Sequence, residues 1–297
     1  MTTVGTAESV GATAESVGAT AESVGATAES VGATVESVAV ITGAARGIGA
    51  ATATALAGAG WNLVLVDRCA DDPHLPYHLA RPDQLEAVVE ACGGAERAVG
   101  VIADVRDQAG LDRAVALARD RFGGLDAAVA VAGAVAGGQE AWKLSDDMWS
   151  AMLSINLDGT WRLARAAVPA LLERPQPRHG RFVAVASAGS SVGLYLLSAY
   201  TAAKAGVVGL VRSLAAELAP HGITANAIAP GSTAGTMLDA SAAVYGLTET
   251  AQFAEHHMLP RLLEPAEPAA LIAWLCSPQS SGITGAVLPV DAGMTAR

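Results

Sequence analysis

Three residues of the 297-residue chain carry the clearest chemistry: Tyr200, Lys204 four positions later, and Ser187 thirteen positions earlier. On a helix, positions i and i+4 share a face, so the Lys204 ammonium can lie beside the Tyr200 phenol. A free phenol has a pKa of about 10, and a neighbouring cation favours phenolate, which suits Tyr200 to general acid or base work. The spacing is selective, because the chain has only two lysines, Lys143 and Lys204, and four tyrosines. Ser187 ends an apolar run and can donate a hydrogen bond to a substrate oxygen on which charge develops, or simply bond to backbone as strand-end serines do.

A second constellation lies near the start of the patterned region. An apolar run passes into Thr42-Gly43-Ala44-Ala45-Arg46-Gly47-Ile48-Gly49 and then into a helical segment. A glycine-rich turn there lets backbone N–H groups and the positive end of a helix meet a pyrophosphate. The next run ends at Asp67, twenty-four residues after Gly43. A carboxylate there can accept hydrogen bonds from an adenosine ribose and repels a 2′-phosphate, which favours NAD over NADP. Arg46 and Arg68 point the other way, as guanidinium groups able to grip such a phosphate.

The elements that must position these groups are legible from the apolar runs. SVAVIT, NLVLVD, AVGVIAD, LDAAVAVAG, RFVAVAS, ITANAIAP and AVLPVD alternate with amphipathic segments, so seven strands alternate with helices. That plan predicts an α/β fold: a single doubly wound (Rossmann) domain over residues 37–297, with a seven-stranded parallel sheet and helices on both faces. Residues 1–36 differ. They repeat Val-Gly-Ala-Thr-Ala-Glu-Ser, with Glu8, Glu15, Glu22, Glu29 and Glu36 in phase. One valine and one glycine per seven residues make a poor coiled coil, and a disordered, inert tail is expected.

Composition excludes several functions. The net charge is −11, and −6 without the five tail glutamates, so neither nucleic acid nor an anionic membrane suits as partner. The charge-free stretches 182–203 and 268–290 are broken by Gly, Ser or Pro and read as buried strands and helices, not membrane spans. No basic segment followed by an apolar run opens the sequence, so no secretory signal is expected. Three scattered cysteines, Cys69, Cys92 and Cys276, suit a reducing compartment, hence the cytoplasm. Cys69, His74 and His78 lack an evident fourth ligand, and no metal is expected.

Taken together and in this order, TGAARGIG, Asp67, Asp104-Val105, Asn156 in SINLDG, Ser187, Tyr200-Thr201-Ala202-Ala203-Lys204 and Pro230-Gly231 resemble the short-chain dehydrogenase/reductase family over residues 38–297. The resemblance implies that Tyr200 exchanges the proton, Lys204 also bonds the nicotinamide ribose, and Ser187 orients the substrate oxygen. It implies that Asn156 holds a water in a proton relay, and that Asp104 and Val105 contact adenine. Pro230, Gly231 and Thr233 would face the nicotinamide. Gly133, in Ala130-Val131-Ala132-Gly133, would border the cofactor; this segment lacks the polar side chain of the family's usual Asn-Asn-Ala-Gly. A homotetramer packed through the helices containing Trp161 and Tyr200 is also implied.

The inserted segment 69–82 resembles that of mycofactocin-associated members, in which it covers a tightly held NAD that this peptide-derived carrier reoxidises in place. Leu75, Pro76 and Tyr77 supply an apolar flap; a surface excursion without cofactor contact is the alternative. Met237, Leu238, Tyr245 and Met258 are expected to form an apolar lid, implying a small apolar alcohol or carbonyl substrate. Trp142, Trp149 and Trp161 are expected in core or subunit packing, and His256 and His257 on the surface. The expected activity is NAD-dependent interconversion of an alcohol and its ketone or aldehyde. An NADPH-linked ketoacyl-type reductase and a non-catalytic dinucleotide-binding protein remain open at this point.

Overall fold

Runs of small and β-branched residues without polar alternation suit strands buried on both faces, as in parallel sheets. A computed structural model describes residues 37–296; the tail expected over 1–36, and Arg297, lie outside the described residues. The seven strands are β1 (Val38–Thr42), β2 (Asn62–Asp67), β3 (Ala98–Ile102), β4 (Ala127–Ala130), β5 (Arg181–Val185), β6 (Thr224–Pro230) and β7 (Val287–Val290). They form one sheet in the order β3-β2-β1-β4-β5-β6-β7. Every pairing is parallel, which is the arrangement the alternation of runs predicts.

Period-two alternation divides the sheet into two cores. Val38, Val40, Val64, Val66, Phe182 and Ala184 face one layer, where they meet α3 (Gln108–Phe122), α5 (Gly159–Glu173) and α6 (Ser198–Leu218). Ala39, Ile41, Leu63, Leu65, Val183 and Val185 face the other, with α1 (Gly47–Gly58), α2 (Pro82–Ala91) and α8 (Ala266–Cys276). Helix α5 illustrates why the layers hold: Leu163, Ala167, Ala170 and Leu171 form its buried stripe, while Trp161 and Arg165 look outward.

The direction of winding reverses between β1 and β4. In a doubly wound sheet that reversal opens a crevice beyond the carboxyl ends of the strands. Helices α4 (Asp146–Leu153) and α7 (Thr236–Tyr245) flank the crevice, and a 3₁₀ segment, Thr250–His256, packs on α7 through an edge-on Tyr245–Phe253 contact with centroids 5.9 Å apart. Among the described residues, no helix is long and apolar enough to cross a membrane.

Candidate active site

The crevice is a cavity of about 720 Å³, and every residue predicted for the site except Asn156 lines it. At one end, the turn after β1 folds tightly over the sheet. A side chain at Gly49 would strike the Gly43 carbonyl oxygen at 2.0 Å, so that approach admits only glycine. Arg46, at the N-cap of α1, makes no side-chain cap. The first-turn N–H groups of α1 therefore stand at the cavity wall, with the helix dipole behind them. Asp67 closes this end: its carboxylate accepts the Ala45 N–H at 3.1 Å and the Cys69 N–H at 3.2 Å, tying the turn to β2.

The other end holds Ser187, Tyr200 and Lys204. Strand β5 delivers Ser187 at its exit, and the first turns of α6 deliver Tyr200 and Lys204 on one face, as the i, i+4 spacing predicts. All three are buried. The Lys204 ammonium donates to the Val185 carbonyl at 2.7 Å and lies 5.9 Å from the Tyr200 ring centre.

The electrostatics differ from the sequence expectation. Burial pushes the Tyr200 phenol above its usual range, and it is the hydrogen bond with Ser187, not the lysine, that pulls it back. Desolvation also pulls Lys204 down from 10.5 to about 8. The reason is that low-dielectric surroundings penalise the charged form of both groups.

Asn156 sits in a π-helical turn, Ser154–Asp158, that joins α4 to α5. Its side chain is fully buried and does not line the cavity. Its amide donates to the Ala134 and Met152 carbonyls at 3.0 and 2.9 Å and accepts the Ala134 N–H at 3.1 Å. Asn156 thereby pins the segment after β4, where the family's polar side chain is missing; Thr42 adds a bond to the Ala132 N–H at 3.3 Å. A side chain at Gly133 would stand 2.9 Å from the Asn156 Oδ1 and 3.3 Å from the Lys204 Nζ, so its absence lets the three groups converge.

The inserted segment 69–82 is no surface excursion. Leu75 is buried in a cluster with Ile155, Leu197 and Tyr200, and Tyr77 and Leu79 pack against it. The Tyr77 hydroxyl accepts the Val135 N–H at 3.0 Å, bridging from the flap to the segment after β4. Leu75, Tyr77, Leu79 and Ala80 all line the cavity. Two aspartates fasten the flap. Asp71 holds His78, Arg81 and the Leu79 N–H. Asp72, its side chain wholly buried, binds Arg68 and Arg106. Sequence reasoning missed Asp72 and Arg106 as site residues; the signal was the adjacent acid pair after Arg68 and the arginine following Asp104-Val105.

Trp142, Trp149 and Trp161, expected in core or subunit packing, are 81%, 43% and 43% exposed, so none lies in the core of the chain, and none lines the cavity. Two further expectations need correction. His257 is buried, not on the surface: its Nε2 accepts the Ser232 N–H at 3.2 Å and its Nδ1 bonds the Arg261 carbonyl at 2.7 Å. It thus supports the Gly231–Thr233 loop at the cavity. Met258 is 59% exposed and lies against Gly293, outside the lid that Met237, Leu238 and Tyr245 do form.

A doubly wound sheet with a glycine turn and a strand-end acid at one end of a cleft, and a buried Ser-Tyr-Lys set at the other, defines a dinucleotide-dependent oxidoreductase. Residues 43–295 match the family model described as enoyl-(acyl carrier protein) reductase. An uncharacterized oxidoreductase of Mycobacterium tuberculosis is 38% identical, covering 86% of this chain and 94% of its own. A (−)-trans-carveol dehydrogenase of Rhodococcus erythropolis is 35% identical, covering 86% and 96%. The crystal structure of a carveol dehydrogenase from Mycobacterium avium in complex with NAD superposes with a TM-score of 0.82 at 33% identity, covering 88% of this chain and 98% of the other. The chain belongs to the short-chain dehydrogenase/reductase family.

Proposed function

We propose that the protein is an NAD-dependent dehydrogenase that interconverts a small apolar alcohol and its ketone or aldehyde, holds NAD tightly, and has it reoxidised in place by mycofactocin. The observation that carries this reading is the placement of Ser187, Tyr200 and Lys204 in the same cavity as the α1 N-terminus and Asp67. The similar carveol dehydrogenases, one of them in complex with NAD, support the substrate class and the cofactor. Asp67 suits a ribose hydroxyl, and the first-turn N–H groups of α1 suit the diphosphate. Asp104 and Val105 border the adenine, and Pro230, Gly231 and Thr233 the nicotinamide.

The nicotinamide, when bound, supplies the acceptor for hydride. The chain handles the proton. Ser187 donates to the substrate oxygen and Tyr200 takes its proton as hydride leaves the carbon. Tyr200 enters this step as phenolate, made a stronger base by burial and kept accessible by the Ser187 hydrogen bond and the nearby Lys204 ammonium, and leaves it as neutral phenol carrying the substrate proton. Asn156 keeps the segment around Ala134 in place, and the Val185 carbonyl holds Lys204. The walls beside Tyr200 are Leu194, Leu197, Met237, Leu238 and Tyr245, which exclude water and select apolar substrates. The flap residues Leu75 and Tyr77 reach across the cleft, which supports slow cofactor exchange and hence a need for reoxidation in place.

The assembly we propose is a cytoplasmic homotetramer packed through α5 and α6, with exposed Trp161 on the packing face. The test of function is direct. Purified protein is desalted, its nucleotide is identified, and a panel of apolar alcohols is offered with an artificial electron acceptor. NAD retained through desalting and acceptor reduced by an apolar alcohol is the expected result. Retained NADP, or no reduction with any alcohol, would refute the reading.

A further inference from the structure

Three arginines stand around the ribose end of the cavity: Arg46, Arg68 and Arg106. Each is a natural ligand for the extra phosphate that distinguishes NADP from NAD. Each already has a hydrogen-bond partner. Arg46 donates to the His78 carbonyl at 3.1 Å. Arg106 reaches Asp104 through Nε at 3.0 Å and Nη2 at 2.6 Å, and Asp72 through Nη2 at 2.6 Å. Arg68, next in sequence to Asp67, is bound by Asp72 and lies 3.4 Å from Asp104.

Asp72 differs from the other two acids here. Asp67 and Asp104 line the cavity; Asp72 does not, and its side chain has no exposure at all. Its Oδ1 accepts the His74 N–H at 2.9 Å, and its Oδ2 carries both guanidinium groups. Burial alone would raise this carboxyl, yet those hydrogen bonds hold it below its usual range, so it stays charged. Turning Arg68 toward a ribose phosphate would strip one partner from a fully buried carboxylate, a costly exchange.

We infer that Asp72, a flap residue that does not line the cavity, is a positioning residue for nucleotide choice: it withholds Arg68 from a 2′-phosphate, Arg106 being held by Asp104 as well, and so enforces NAD over NADP. The three arginines are matched by Asp67, Asp72 and Asp104, and neutralising Asp72 leaves one guanidinium charge unbalanced beside the ribose site. Discrimination then has two layers. Asp67 repels the phosphate directly, and Asp72 removes the cation that would otherwise offset that repulsion. The inference rests on the NAD reading proposed above.

The test is competitive binding to the full chain. Wild type, Asp72→Asn, Arg68→Ala/Asp72→Asn and Arg68→Gln are each dialysed to constant composition against equimolar NAD and NADP, and the bound nucleotides are released and quantified. Asparagine can still accept the His74 N–H, so the flap keeps that tie. The bound NADP:NAD ratio should rise at least tenfold in Asp72→Asn and return to within threefold of wild type in the double variant. Arg68→Gln alone should leave the ratio within threefold, since a withheld arginine makes no contribution. A purely structural role for Asp72 would weaken both nucleotides together without moving the ratio, and that outcome overturns the inference. So does a tenfold fall in the ratio for Arg68→Gln, which decides the matter even if Asp72→Asn does not fold. A wild-type protein that fills with NADP refutes the NAD reading itself, a result distinct from an NAD-preferring wild type whose ratio Asp72→Asn leaves unchanged.

Discussion

Replacing Lys204 with methionine should make the nucleotide-free protein respond less to pH, by an amount that follows from the burial of one ammonium group. In the folded chain desolvation takes Lys204 from 10.5 to about 8. The unfolded lysine keeps its proton up to about 10.5, while the folded one releases it at about 8. Between those values the unfolded chain binds more protons, so stability rises with pH. The burial penalty is fully present below the folded value and vanishes as pH rises through the unfolded one. Linkage puts it at about 3 kcal/mol at pH 7 and about 1.4 kcal/mol at pH 9.5. The lost bond to the Val185 carbonyl offsets part of the gain in Lys204→Met, but that term is nearly independent of pH. The assay is urea unfolding of both proteins, refolded without nucleotide, at the two pH values. Wild type should gain about 2 kcal/mol relative to Lys204→Met on going from pH 7 to 9.5. Differences constant to within about 0.5 kcal/mol would refute the claim that Lys204 is held desolvated at a free-energy cost.

Other expectations follow from the same contacts. Tyr77→Phe removes the acceptor of the Val135 N–H, a bond of about 1 kcal/mol, and should speed NAD release about fivefold; unchanged release by stopped-flow displacement would show that the flap is fastened elsewhere. Asn156→Ala leaves the Ala134 N–H and two buried carbonyls without their partner and should lower stability by about 2–4 kcal/mol in urea unfolding. A loss below about 0.5 kcal/mol would mean the π-helical turn does not depend on that side chain. Trp161→Glu should shift light-scattering mass from tetramer toward smaller species, and an unchanged mass would place the packing face elsewhere.

The fold was readable because its signals are local. Apolar runs such as NLVLVD lie within single strands, and the glycine turn, Asp67 and the Tyr200/Lys204 spacing are short-range patterns whose geometry the backbone dictates. What was hidden depends on partners far along the chain. His257 looks like a surface residue until Ser232, twenty-five positions away, donates to it. Asp72 looks like half of a solvated acid pair until Arg106, thirty-four positions away, arrives. The direction of the Tyr200 shift was misjudged for a related reason: neighbouring charge can be read from spacing, but the desolvation that opposes it comes from how completely the fold closes over both groups.

The central claim is that Tyr200 exchanges the proton beside a bound nicotinamide, and single-turnover reduction of bound NAD by an apolar alcohol in Tyr200→Phe tests it most directly. The variant should fold and retain NAD like wild type while hydride transfer slows at least a hundredfold, in line with general acid–base contributions of about 10²–10⁴. Turnover within tenfold of wild type, with NAD still bound, would contradict the account.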